Sequence, residues 1–234
     1  MFQLMHSWWV YDAWQISPVF LISWVFWVVL SICLHELGHG FAAIRCGDRT
    51  PIELGHMTLN PIVHMGLPSL ITFAVAGLAW GAMPVTPSRF RGRHDDAFVS
   101  FAGPFVNISL MVTAGLAAVA WALLAGGMVN PAWEVNDTLY TNVQVFLMVG
   151  AGLNLGLTLL NLIPVPPLDG SRILSSFVPA YRELTQRAGN ATAVGAIIVI
   201  VLFGPSILDF GFAATSQAIH TGVRLFAPQA SFRR

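Results

Sequence analysis

Two histidines and a glutamate, His35-Glu36-Leu37-Gly38-His39, stand at the end of a run with no charged residue between Asp12 and Glu36. On a helix, His35 and His39 lie four residues apart, on one face and one turn from each other. Imidazoles so placed can hold one tetrahedral Zn²⁺, with Glu36 beside them as the base for a water that the metal activates. A buried carboxylate next to two buried imidazoles needs a compensating charge, which a metal ion would supply. A catalytic zinc takes three protein ligands, so the third has to come from elsewhere in the chain. Asp169 is the best placed candidate: Pro166-Pro167 stiffen the approach to it and Gly170 permits a tight turn. The Asp-Gly pair is also a plain turn signal, and His56 and His64 are rival ligands.

The elements that must position these groups are membrane spans. Hydrophobic residues make up 56% of the 234-residue chain and charged residues only 9%, against roughly 25% charged in soluble domains. All eleven basic residues are Arg and the net charge is zero, so no nucleic-acid patch is implied. The run from Pro18 to Leu34 is long enough, at about 1.5 Å per residue, to cross most of a roughly 30 Å hydrocarbon core. In lipid the backbone must satisfy its own hydrogen bonds, so the run is a helix. Intramembrane polar clusters mark functional sites by default, which places the His-Glu-His group at the centre of attention.

Taken in order, the chain reads as an all-α polytopic membrane protein. Trp8, Trp9, Tyr11 and Trp14 suit a membrane–water interface, and no basic n-region or cleavage site suggests a removable leader. A first span covers about 18–43. Residues 50–60 alternate loosely and read as a short strand or β-hairpin. A second apolar stretch, 65–83, is interrupted by Pro68, Gly77 and Gly81 and reads as re-entrant or short. Further spans cover about 97–124, with Gly103-Pro104 and Asn107, and 143–162, with Asn154 and Gly152 four residues before Gly156. A C-terminal span starts near Ala191 and is broken at Gly204-Pro205. The two cysteines, Cys33 and Cys46, have no finger or disulfide spacing.

Arginine placement sets the orientation. Five Arg lie in 45–96, none in 127–141 and three in 164–190. The asymmetry fits better if the 65–83 stretch dips into the membrane and returns than if it crosses fully. The end of the first span and the turn carrying Asp169 then share the cytoplasmic side, where the two His and the carboxylate can meet.

Three motifs together resemble the site-2 protease family of intramembrane zinc metalloproteases, in its compact prokaryotic branch without PDZ or CBS domains. They are His35-Glu36-Leu37-Gly38-His39, Ala102-Gly103-Pro104 with Asn107, and the run Asn161-Leu162-Ile163-Pro164-Val165-Pro166-Pro167-Leu168-Asp169-Gly170. Leu59-Asn60-Pro61 with His64, and Pro84-Val85 leading to Arg89-Phe90-Arg91, also resemble that branch, although Gly66 and Leu67-Pro68 follow where the branch has Asp-Pro. The resemblance covers roughly residues 17 to 205. It implies a core of three main spans, the re-entrant segment, the hairpin and a C-terminal span, forming a single domain over 1–234. It further implies one Zn²⁺ per chain held by His35, His39 and Asp169, with Glu36 as general base and Asn161 helping to hold the substrate carbonyl. The substrate would be a transmembrane protein cut in or near its helix, the location the cell membrane, and the active site near the cytoplasmic side. The rival reading is a non-proteolytic membrane metal-binding protein or transporter, and oligomeric state is open.

Overall fold

Ser17 starts the first long helix. Its side chain accepts a hydrogen bond from the Val19 amide at 3.2 Å, and Pro18 fills the first helical position, where an amide would go unpaired. That helix, α2 (Pro18–Arg45), follows the short α1 (Trp9–Ile16). The computed structural model describes residues 8–189 and 191–227, and among them every regular element is helical. Four segments are long and apolar enough to cross a membrane: α2, α5 (Asp95–Ala125), α6 (Asp137–Asn161) and residues Ile198–Phe226 of α9 (Ala191–Phe226). The chain is a multi-pass membrane protein. The terminal Phe232-Arg233-Arg234 lie outside the described residues.

The long helices pack as a bundle in which α5 lies on α6, α2 crosses both, and α9 covers α6. Glycine sets the α2–α5 spacing: a Cβ on residue 38 would fall 2.8 Å from Val106 Cγ2 and 2.9 Å from the Ala102 carbonyl oxygen. Neither Pro104 in α5 nor Pro205 in α9 interrupts its helix. The expected break at Gly204-Pro205 is therefore absent. A proline removes one backbone hydrogen bond, which neighbouring groups in a bundle can replace.

The expected β-hairpin at 50–60 is also absent. Residues 50–53 form one helical turn, α3 (Thr50–Glu53), followed by a turn at Gly55 with φ +70°. Pro51 cannot donate to a strand ladder but fits the first turn of a helix, and Asp48 Oδ1 accepts from the Thr50 amide at 3.0 Å, drawing the chain into that turn. Asp48 is fully buried and also accepts from the Thr86 amide at 2.6 Å, so it fastens the 84–89 loop to the end of α2. Burial alone would raise its carboxyl, but the bonds from Thr50 and Thr86 and the nearby Arg89 outweigh it and hold the group below its ordinary value.

A returning non-helical segment comes later, after α4 (Pro61–Ala76). Asn60 caps α4 by accepting from the Ile62 amide at 3.0 Å; Gly66, at φ 67° and ψ 165°, kinks it, and Gly77 ends it in the left-handed region. The chain then runs back along the same helix. Trp80 exchanges two bonds with Ser69 Oγ, at 2.7 and 2.9 Å, and the Ala82 amide donates to the His64 carbonyl at 2.9 Å. The apolar stretch expected at 65–83 is thus a kinked helix and a returning non-helical segment. Part of the Trp-rich start leans on it: Trp8 and Trp9 both donate to the Ala74 carbonyl, at 3.0 and 3.1 Å, while Trp14 stays exposed. After α6 come α7 (Asp169–Phe177) and α8 (Pro179–Ala188).

Candidate metal centre

His35 and His39 lie on the face of α2 that meets α5, and both are buried. Their Nε2 atoms stand 3.0 Å apart. Asp169 arrives from the first turn of α7, with Oδ2 3.1 Å from His35 Nε2 and Oδ1 3.4 Å from His39 Nε2. The ligand atoms of the three residues all lie within 4.8 Å of one another, although more than a hundred residues of chain separate the carboxylate from the imidazoles.

Two devices bring Asp169 there. Gly170 abuts the carbonyls of Leu162 and Ile163, where a side chain would collide with backbone. Arg172, one turn along α7, donates to Asp96 Oδ1 at 2.6 Å and ties that helix to the start of α5.

The opposite nitrogens of the two imidazoles decide what faces inward. His39 Nδ1 donates to the Val99 carbonyl at 2.7 Å, and His35 Nδ1 donates to Asn107 Oδ1 at 2.5 Å. With protons committed to both Nδ1 atoms, both Nε2 atoms present lone pairs toward the same point and toward a carboxylate. Such a set repels itself unless a cation sits among its members. Asp169 Oδ2 agrees: it is buried and accepts no hydrogen bond despite its short distance to His35. Space for an ion exists because residue 103 is glycine; a Cβ there would fall 2.5 Å from Nε2 of each histidine. Two imidazole nitrogens and a carboxylate, with second-nitrogen anchors and a void between them, fit a zinc ion.

Glu36 is buried beside the cluster, and its side chain meets the returning segment at Gly81, where a Cβ would fall 2.6 Å from Glu36 Oε1. Asn161 ends α6 and donates to the Leu157 carbonyl of its own helix at 3.0 Å; among the described residues no hydrogen bond joins it to His35, His39 or Asp169. The rival ligands His56 and His64 stay outside the cluster: His56 Nδ1 donates to the Leu54 carbonyl at 3.0 Å, and His64 Nε2 to the Thr58 carbonyl at 2.5 Å. Sequence reasoning did not find the Val99 carbonyl, the cradle at Gly103 or the approach of Gly81 to Glu36. A backbone acceptor leaves no trace in residue type, but a glycine within an apolar span was a usable sign of close approach.

Comparison with known proteins points to zinc metalloproteases. The profile described as peptidase family M50 matches residues 121–204. The chain is 35% identical over 201 residues to "Putative zinc metalloprotease YwhC" of Bacillus subtilis, a match covering 82% of this chain and 85% of that protein. It is 32% identical to "Putative zinc metalloprotease Rip2" of Mycolicibacterium smegmatis, covering 79% of this chain and 67% of that one. Rip2 of Mycobacterium tuberculosis is 36% identical, with 80% and 68% covered. No solved structure gives a significant match. On similarity of this extent to zinc metalloproteases, and on the ligand group just described, the chain belongs to peptidase family M50, the site-2 protease family.

Proposed function

We propose that this protein is an intramembrane zinc endopeptidase that hydrolyses peptide bonds in or near the transmembrane helices of other membrane proteins. The observation that carries the reading is the convergence of His35, His39 and Asp169 with both imidazole Nδ1 protons already committed. One zinc per chain would be held by these three residues, where it would polarise a scissile carbonyl and bring the pKa of a bound water down to near 7. Glu36 takes the proton of the attacking water as the water oxygen bonds to the carbonyl carbon. The C–N bond then breaks, and Glu36 returns that proton to the leaving nitrogen. Asn161, on rotating away from Leu157, would donate a hydrogen bond to the developing oxyanion.

A transmembrane substrate has its amides already paired, so it must unwind before attack. The returning segment supplies a place for the unwound strand. Trp80 and Ala82 turn backbone groups toward α4, and alternation along an extended chain would leave those of Gly81 and Met83 facing away from α4. The Cβ side of Gly81 closes on Glu36. An edge of this kind can accept a peptide by strand addition. The 50–60 stretch, whose one regular element is the turn Thr50–Glu53, offers no such edge. α4 is 16 residues, about 24 Å at 1.5 Å per residue, so with its kink it falls short of a roughly 30 Å core. We read it and the returning segment as a re-entrant unit of one membrane domain. The arginine distribution supports a site near the cytoplasmic side of the cell membrane.

The test is cleavage of a reporter transmembrane substrate by purified protein, beside Glu36→Gln and a sample stripped of metal. Cleavage by the intact protein alone, restored to the stripped sample by zinc, is the expected result. Equal cleavage by Glu36→Gln rules out the assigned base, and a protein that binds zinc but leaves every reporter intact rules out the endopeptidase.

A further inference from the structure

A line of three hydrogen bonds joins the metal face of α2 to the middle of α6 through side chains with no exposed surface. His35 Nδ1 bonds Asn107 Oδ1 at 2.5 Å, Asn107 Nδ2 donates to Asn154 Oδ1 at 2.8 Å, and Asn154 Nδ2 donates to the Gly150 carbonyl at 2.9 Å. Asn107 and Asn154 are both fully buried. The direction of this line is fixed by its far end. A backbone carbonyl only accepts, so Asn154 must present its amino group to Gly150 and its oxygen to Asn107. Asn107 must answer with its own amino group, which leaves its oxygen against His35. An oxygen there demands a proton on Nδ1 and leaves Nε2 as a bare lone pair.

The two histidines are thus oriented by different means. His39 is set in one step by the Val99 carbonyl, a backbone atom. His35 is set through two side-chain amides on two other helices. Each amide sits where lipid or apolar neighbours would otherwise surround it, so neither could find water if its partner were lost.

We propose that Asn107 and Asn154 are positioning residues for the metal centre. They form a polarised amide relay, anchored on the Gly150 carbonyl, that holds His35 in the Nδ1–H tautomer and aims its Nε2 at the point shared with His39 and Asp169. The importance of the relay for metal affinity rests on the zinc reading of the site. The tautomer does not: it is set with or without metal, and whether or not the protein cuts peptides.

The test uses the full chain in lipid nanodiscs, labelled with ¹⁵N-histidine and stripped of metal, with His35→Ala identifying the His35 signals. Long-range ¹H–¹⁵N correlations report which ring nitrogen carries the proton, and competition with a chelator reports zinc affinity. The intact protein is expected to show His35 protonated at Nδ1. Asn107→Ser and Asn154→Leu each leave a mixture of tautomers and lower zinc affinity by about 10–100-fold. The double variant loses no more than Asn107→Ser alone, because the two residues act as one unit. Asn154→Asp, as a neutral acid, keeps an oxygen toward Asn107 and restores the tautomer. An unchanged tautomer in whichever single variant folds overturns the relay, even if zinc affinity falls, since packing alone then explains the loss. A shifted tautomer in a protein that cuts no reporter leaves the relay standing and removes only the protease assignment.

Discussion

α6 meets its neighbours through two unlike faces. Toward α5 it presents Asn154, bonded to Asn107 in a fully buried pair. Toward α9 it presents Gly152 and Gly156, and a Cβ on Gly211 of α9 would fall 2.8 Å from the Gly152 carbonyl oxygen and 3.0 Å from the Gly156 amide nitrogen. Neither face can rely on the hydrophobic effect, because lipid is as apolar as the side chains. The α5 face uses hydrogen bonds, which fix particular atoms at particular places. The α9 face uses backbone proximity and dispersion, which hold two helices close without orienting any polar group. The site is built on the first kind of contact. A ligand needs its lone pair aimed, whereas a supporting helix needs only to be near.

The sharpest way to break this comparison is Gly103→Ala. The new methyl would occupy the space between the two imidazoles, with its carbon 2.5 Å from each Nε2. Zinc affinity should fall by more than about 100-fold, beyond what loss of an outer hydrogen bond costs. A chelator competition that finds affinity unchanged would show that the gap is not an ion cradle.

Gly211→Leu probes the other face. The side chain would strike backbone of α6, which cannot move aside as a flexible side chain would, so overpacking should cost about 1–3 kcal/mol or more of stability. Zinc affinity of the folded fraction should stay within about two-fold of the intact protein. If it falls as far as in Gly103→Ala, the two faces of α6 are not separable and orientation of the site depends on both.

The same division explains what could be read from the sequence. The four spans were legible in outline, because uncharged length acts locally and Pro18 marks the start of the first. The third reads from about 143 in the sequence, whereas its helix starts at Asp137. The candidate residues His35, His39 and Asp169 are named from motif and resemblance, and the structure brings the three side chains together. Asn107 stood out as an amide in an apolar span, but its partner on α6 could not be named, because pairing across helices depends on rotation about both axes. The strand reading of 50–60 failed for a local reason, Pro51 and the bond from the Thr50 amide to Asp48, and the returning segment after Gly77 was hidden in an apolar run with no polar alternation. The break placed at Gly204-Pro205 failed because proline limits one hydrogen bond, not the whole helix.

Asp48 offers a pH test of the polar mode away from the bundle. Its folded carboxyl lies below its unfolded value, so its stabilising contribution is complete above about pH 4, and is lost as pH falls through the lower folded value. Asp48→Asn should be less stable at pH 7 by roughly 1–3 kcal/mol, since Thr50 donates to Oδ1 and the Thr86 amide to Oδ2, and the amide keeps only one of these oxygens. Thermal unfolding between pH 3 and 5 should then be flatter in the variant than in the intact protein. Equal slopes would show that the carboxylate does not govern the 84–89 loop.

The smallest expected effect separates positioning from packing at the substrate edge. Ser69 holds the returning segment by both donating to and accepting from the Trp80 backbone. Ser69→Ala removes both bonds while leaving the proposed metal ligands and Glu36 in place. Each bond is worth about 0.5–1.5 kcal/mol net, and the segment can retain its tie from Ala82 to His64. A substrate strand laid along a looser edge loses binding before it loses chemistry, so KM should rise about 2–10-fold with kcat little changed. A fall in kcat at constant KM would mean that the segment acts on Glu36 through Gly81 instead of on the substrate, and the polar mode of fixing atoms would then extend from the metal ligands to the base.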